Sequence, residues 1–176
     1  MENGVDYGIY HTTFKIKVDP LVSVIIPNKE HRQDLDLCIR SMITRGTYKN
    51  LEFVVIENNS TDPETFAYYE AIQQEFPQVR VVTWTREFNY SAINNFGVQA
   101  AKGQYLLFLN NDTELIAENF VEEMLGFCQR EDVGAVGARL LYQDDTIQHA
   151  GVVIGLGGVA GHTFIGLHKP ENSYFH

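Results

Sequence analysis

The chain of 176 residues carries 13 Lys and Arg against 23 Asp and Glu, a formal net charge of −10 with neutral His, and 44% of it is hydrophobic. That length suits one globular domain, which at this size removes roughly 70% of its unfolded surface from water. An acidic balance with no Lys/Arg cluster argues against a phosphate-backbone binder, so nucleic acid is not an expected partner. The same field repels small anions such as nucleotides unless a divalent metal reverses it locally. No apolar stretch reaches the ~20 residues that a transmembrane segment requires, and no basic-then-apolar N-terminus marks a secretory signal. Cys38 and Cys128 lie far apart at apolar helical positions and read as reduced core residues of a cytosolic protein.

Residues 1–20 are turn-rich and read as a linker or edge strand leading into a domain over 21–176. From Leu21 onward, β-type runs alternate with helical periods, the pattern of βαβ units around a mostly parallel sheet. Val22–Ile26 is the first strand, closed by Pro27, and a helix over about 32–44 places Leu35, Ile39, Met42 and Ile43 on one face. The second strand is Leu51–Ile56. Asp62-Pro63 then supplies an N-cap acid and a proline at the first helical position, with capping-box spacing from Thr61 to Glu64, so a helix runs to about Phe76. Val79–Trp84 is the third strand, followed by a helix over about 91–101 that Gly103 stops. Tyr105–Leu109 is apolar throughout, which predicts a strand buried on both faces. A helix over about 117–129 is expected to bury Phe120, Val121, Met124 and Cys128; Val133–Gly137 reads as a fifth strand and Val152–Ile154 as part of a shorter one.

In a parallel α/β sheet, ligands bind outside the carboxyl ends of the strands. Each of the first four strands delivers a polar cluster to that edge: Asn28-Lys29-Glu30, Glu57-Asn58-Asn59-Ser60, Arg86-Glu87-Phe88-Asn89 and Asn110-Asn111-Asp112. One such cluster is ordinary turn and cap chemistry. Four at one edge point to a site. Asp112 has two readings: it or Thr113 caps the next helix, or its carboxylate binds Mg2+ or Mn2+, hard cations that bridge diphosphates. The second reading also answers the charge problem.

Val24-Ile-Ile-Pro27, Val55-Ile-Glu-Asn-Asn-Ser-Thr-Asp62, Asn89-Tyr-Ser-Ala-Ile-Asn-Asn-Phe-Gly97 and Ala101-Lys-Gly-Gln-Tyr-Leu-Leu-Phe-Leu-Asn-Asn-Asp112 resemble successive blocks of the family 2 glycosyltransferases. The resemblance covers roughly residues 21–165, and four blocks in order are far more specific than any one. It implies a GT-A (Rossmann-like) α/β/α sandwich with a mostly parallel central sheet, and a UDP- or dTDP-sugar donor. Carried over position by position, Pro27 and Asn28 line the nucleoside pocket and Glu57 stands where the family has an Asp that meets base and ribose. Asn89, Asn94 and Asn95 fall in the block covering the nucleotide; Asn110 replaces the first Asp of the D-x-D motif, and Asp112 is its metal-binding end. Losing that first acid weakens metal affinity without nucleotide, so metal and donor are expected to bind together.

The stretches Ile147–Gly155 and Gly157–His162 resemble, more loosely, bacterial surface-polysaccharide transferases that include rhamnosyltransferase-like proteins. His149 and His162 there read either as ligands to metal, diphosphate or acceptor, or as loop residues; Asp144-Asp145 reads as a solvated turn. The family's reaction implies inversion at the anomeric carbon, a saccharide or lipid-linked acceptor, and a cytoplasmic location, peripheral at the inner membrane face through partners. A metal or the cations Lys29 and Arg86 would serve the leaving diphosphate. The general base is expected beyond residue 176, in an acidic motif that residues 163–176 do not contain, which makes the chain a donor-binding portion inactive alone. Three rivals follow from the residues. Gly155-Leu-Gly-Gly-Val-Ala160 satisfies a dinucleotide-binding pattern, which requires a following helix. Nucleotidyl transfer also uses a sheet-edge Asp and a metal. The alternative of a different class is a noncatalytic sugar-nucleotide-binding module of a larger protein.

Overall fold

The computed structural model describes residues 10–168 and the backbone of Glu2–Asn3. It divides into two compact units, one spanning Val18–Asn119 and the other joining Met1–Lys17 to Phe120–His176.

The first unit contains β1 (Val22–Asn28), α1 (Arg32–Arg45), β2 (Leu51–Asn58), α2 (Pro63–Glu75), β3 (Val79–Trp84), α3 (Tyr90–Ala100) and β4 (Tyr105–Phe108). The four strands form one parallel sheet in the order β3-β2-β1-β4. Right-handed crossovers dictate what covers it: two steps in one direction put α1 and α2 on one face, and the return from β3 to β4 puts α3 on the other. Side-chain contacts agree. Arg40 of α1 forks onto Glu75 of α2 with two bonds of 2.6 Å, while Ile93 of α3 packs with Ile25, Val54, Ile56 and Trp84 on the opposite face. Val24, Ile25, Ile26, Phe53, Val54, Val55 and Ile56 are fully buried, so the two central strands form the core. At the amino edge of the sheet, Glu52 accepts from Ser23 Oγ at 2.6 Å, and Ser23 Oγ accepts from the Gly103 amide at 2.8 Å.

Local chemistry explains the element boundaries. Asp62 caps α2 through the Glu64 amide (3.0 Å), with Pro63 opening the helix, and Asn89 caps α3 through the Ala92 amide (2.9 Å). The expected Thr61–Glu64 box does not form, because Thr61 gives its amide and hydroxyl to the Glu30 carboxylate. Pro27 lies inside β1 rather than closing it.

The expectation that Tyr105–Leu109 is buried on both faces is corrected. β4 is the edge strand, and the register Ser23↔Leu106 and Ile25↔Phe108 puts Leu106 and Phe108 on the α3 face, where they remain exposed. Apolarity cannot bury a strand that no helix covers.

In the second unit, α4 (Phe120–Cys128) starts later than expected and buries Val121, Leu125 and Gly126, whereas Phe120, Met124 and Cys128 are half-buried. Phe14 stands edge-on to Phe127 at 5.0 Å and lies under the Arg130 guanidinium at 4.9 Å. The predicted strand over Val133–Gly137 is absent; regular pairing begins at β5 (Leu140–Leu141) with β6 (Ile147–His149). β7 (Val152–Ile154) and β8 (Ala160–His162) form an antiparallel hairpin. Tyr10–His11 pairs with Glu2–Asn3 and does not join the main sheet. Asp144 closes the expected turn by accepting from the Thr146 hydroxyl at 2.7 Å. The Gly155–Ala160 stretch forms the turn of the β7–β8 hairpin, not a strand-to-helix junction, and so is no dinucleotide fingerprint.

Candidate functional site

The sheet order reverses between β1 and β4, and such a switch point is where an open α/β sheet leaves a crevice at its carboxyl edge. β1 ends at Asn28, and β4 runs into Asn110-Asn111-Asp112. The Asn111 Nδ2 donates to Asn28 Oδ1 at 2.6 Å, which ties the two sides of the crevice together.

Parallel register places Asn28 directly beside Glu57 of β2. Both are buried, and Tyr69 reaches them from α2. Asn28 Nδ2 donates to the Tyr69 hydroxyl at 2.7 Å and to the Glu30 carbonyl at 2.8 Å. Tyr69 in turn donates to Glu57 Oε2 at 2.7 Å, as Ser60 Oγ does at 2.6 Å, and Glu57 Oε1 accepts from the Ser60 amide. Burial, with the Glu57 carboxylate adding to it, pushes the Tyr69 phenol well above its ordinary pKa, so it stays a donor. No motif in the sequence singles out Tyr69, which meets Asn28 and Glu57 only once α2 lies over the sheet.

A second carboxylate anchors the loop that enters α2. Glu30 accepts from the amides of Thr61 (2.5 Å) and Asp62 (3.3 Å) and from the hydroxyl of Thr65 (3.0 Å). The Thr61 bond first, with those of Thr65 and Asp62, holds its carboxyl below the ordinary value against a smaller opposing desolvation. Glu30, His31 and Asn59 all adopt positive φ (55°, 44° and 55°), a conformation that costs free energy outside glycine and clusters here at the crevice.

The remaining expected residues are distributed around this edge. Pro27 is half-buried, and Asn110 is exposed with its carbonyl accepting from Thr113 Oγ1 at 2.7 Å. Asn89 caps α3 and Asn95 is exposed. Asn94 is buried and donates to the Tyr90 carbonyl at 2.8 Å, leaving its Oδ1 without a partner. Arg86 is exposed and lies over the Trp84 ring at 5.6 Å, and Lys29 is exposed. His149 and His162, in the second unit, approach each other Nδ1 to Nδ1 at 2.7 Å. The thiol of Cys38 is pushed up to about 11, mainly by burial.

Asp112 is exposed and, among the described residues, has no hydrogen-bonding or ion-pair partner. No group of three His, Cys, Asp or Glu that would hold a metal by protein ligands alone occurs among those residues. One exposed carboxylate that follows Asn110 and Asn111 in the chain fits a hard cation that takes its other ligands from water and phosphate.

Residues 23–152 match the family described as Glycosyl transferase family 2. The chain is 43% identical over 166 residues to an uncharacterized protein, y4gI, of Sinorhizobium fredii, covering 94% of this chain and 18% of that one. It is 42% identical over 155 residues to the O-antigen biosynthesis protein RfbC of Myxococcus xanthus, covering 88% of this chain and 12% of that one. The chain thus spans less than a fifth of the length of either relative. Its fold is similar to that of the mannosyltransferase PcManGT from Pyrobaculum calidifontis, solved in complex with GDP-Man and Mn2+, with a TM-score of 0.63 at 19% identity over 73% of this chain and 38% of that one. With its parallel switch-point sheet, the fold is of the GT-A type, and the chain belongs to glycosyltransferase family 2.

Proposed function

We propose that this chain forms the donor-binding portion of a glycosyltransferase that moves a sugar, with inversion, from a UDP- or dTDP-sugar to a saccharide or lipid-linked acceptor in bacterial surface polysaccharide synthesis. The observation that carries this reading is the meeting of Asn28 and Asn111-Asp112 across the switch point of a family 2 sheet. Pro27 and Asn28 form the floor of the nucleoside pocket, and Asn89, Asn94, Asn95 and Asn110 border it. The unpartnered Asn94 Oδ1 gives that border a buried acceptor. Glu57 shapes the pocket through Ser60 and Tyr69, which use both of its oxygens.

Asp112 would hold Mn2+ or Mg2+ at the diphosphate. When bound, such an ion neutralises the leaving diphosphate and offsets the charge of −10 that opposes its approach. Lys29 and Arg86, both exposed, add positive charge at the same edge. No helix of the described residues is long and apolar enough to cross a membrane; work in the cytoplasm, peripheral at the inner membrane face, accompanies this reading. The homology to an O-antigen biosynthesis protein supports the polysaccharide assignment.

Calorimetric titration with UDP and dTDP, with and without Mn2+, tests the site. Wild-type protein is expected to bind at least one of them more tightly with Mn2+, and Asp112→Ala to lose that gain. Equal binding by both proteins, indifferent to metal, would overturn the assignment.

A further inference from the structure

The hydrogen bonds across the switch point run in one direction. A carboxylate only accepts, so the Tyr69 proton is committed to Glu57 and the Tyr69 oxygen is left to accept from Asn28. The Asn28 carboxamide therefore has one allowed orientation. Its NH2 must face Tyr69 and the Glu30 carbonyl, both acceptors there, and its Oδ1 must face Asn111. Reversed, it would set its oxygen against those two acceptors in a buried place, which costs the full penalty of unmade hydrogen bonds. Asn111 is fixed in consequence. It must spend its NH2 on Asn28, and no hydrogen bond among the described residues engages its Oδ1.

We propose that Tyr69 is a positioning residue for the switch-point site: together with the Glu30 carbonyl it fixes the Asn28 carboxamide, so that Asn111, the residue before Asp112, has its carbonyl oxygen and not its NH2 left to offer a divalent cation arriving with a diphosphate. The opposite orientation would turn an NH2, with its positive hydrogens, toward the cation. This inference rests on the nucleotide-and-cation reading above and adds a residue on α2, a helix remote in sequence from both Asn111 and Asp112. Tyr69 acts only through Asn28 and touches neither cation nor nucleotide.

The test compares UDP affinity with Mn2+ and with chelator in wild type, Tyr69→Phe and Glu52→Gln. The ratio of the two affinities is taken within each folded variant, so a loss of stability cancels. Tyr69→Phe is expected to lower that ratio about tenfold, the worth of one oriented donor; any change in metal-free UDP affinity from the Asn28 floor of the pocket divides out of it. Glu52→Gln weakens the hydrogen-bonded network at the far edge of the sheet and is expected to leave the ratio at the wild-type value. A wild-type ratio in Tyr69→Phe, or an equal fall in Glu52→Gln, overturns the inference while the nucleotide reading stands. A wild-type protein whose affinity ignores Mn2+ overturns both. A second readout needs no ligand: the side-chain amide resonances of Asn28 and Asn111 should shift together in Tyr69→Phe, and unchanged resonances would also overturn the inference.

Discussion

Two carboxylates, the buried Glu57 and the half-buried Glu30, organise the carboxyl edge of the sheet. Glu57 sets the donor directions of Tyr69 and Ser60, and Glu30 draws the amides of Thr61 and Asp62 and the hydroxyl of Thr65 onto one carboxyl group. Because those bonds hold the Glu30 pKa below its ordinary value, folding favours the ionised form. Its contribution is complete above the unfolded value, about pH 4.3, and fades as the pH falls through the lower folded value. Glu30→Gln should therefore unfold at lower urea than wild type at pH 7, and the gap between them should close as the pH falls below about 4.3. A gap that stays constant down to about pH 3 would contradict this account. At this scale the sequence shows the polar clusters but not their division of labour. Asn28 and Glu57 are adjacent only because β1 and β2 pair in parallel register, and Tyr69 meets them only once α2 lies over that pair. No spacing in the chain encodes that meeting.

At the scale of elements, caps and periods were legible because they are local. Asp62-Pro63 starts α2 where the residue types say it must, whereas the cap that Asn89 gives α3 is seen only in the structure. β4 and the Val133–Gly137 stretch were misjudged for a nonlocal reason: an apolar run reports what a strand can bury, whereas its place in the sheet decides what it does bury. The contact of α3 with the sheet is tight enough to test. A Cβ on Gly97 would lie 2.8 Å from Ile25 Cγ2 and closer still to Ile56 Cδ1, both on fully buried residues. Gly97→Ala should therefore cost about 1–3 kcal/mol by overpacking, despite the better helix propensity of alanine. Chemical denaturation checks it, and a stabilised variant would show that α3 can lift off without loss.

For the whole molecule, charge and topology lead to one requirement. A chain of net charge −10 resists a diphosphate, and the switch point of its sheet is where free carboxylate and amide oxygens gather. The cation proposed at Asp112 would reconcile the two. The competing cation site is the His149–His162 pair in the other unit, whose ring nitrogens already stand 2.7 Å apart. Crystals grown with UDP and Mn2+, with diffraction recorded at the manganese edge, separate these directly. The account predicts an anomalous peak at the Asp112 carboxylate, in contact with the diphosphate and with the Asn111 carbonyl oxygen. A peak at the histidine pair with none at Asp112 would contradict it.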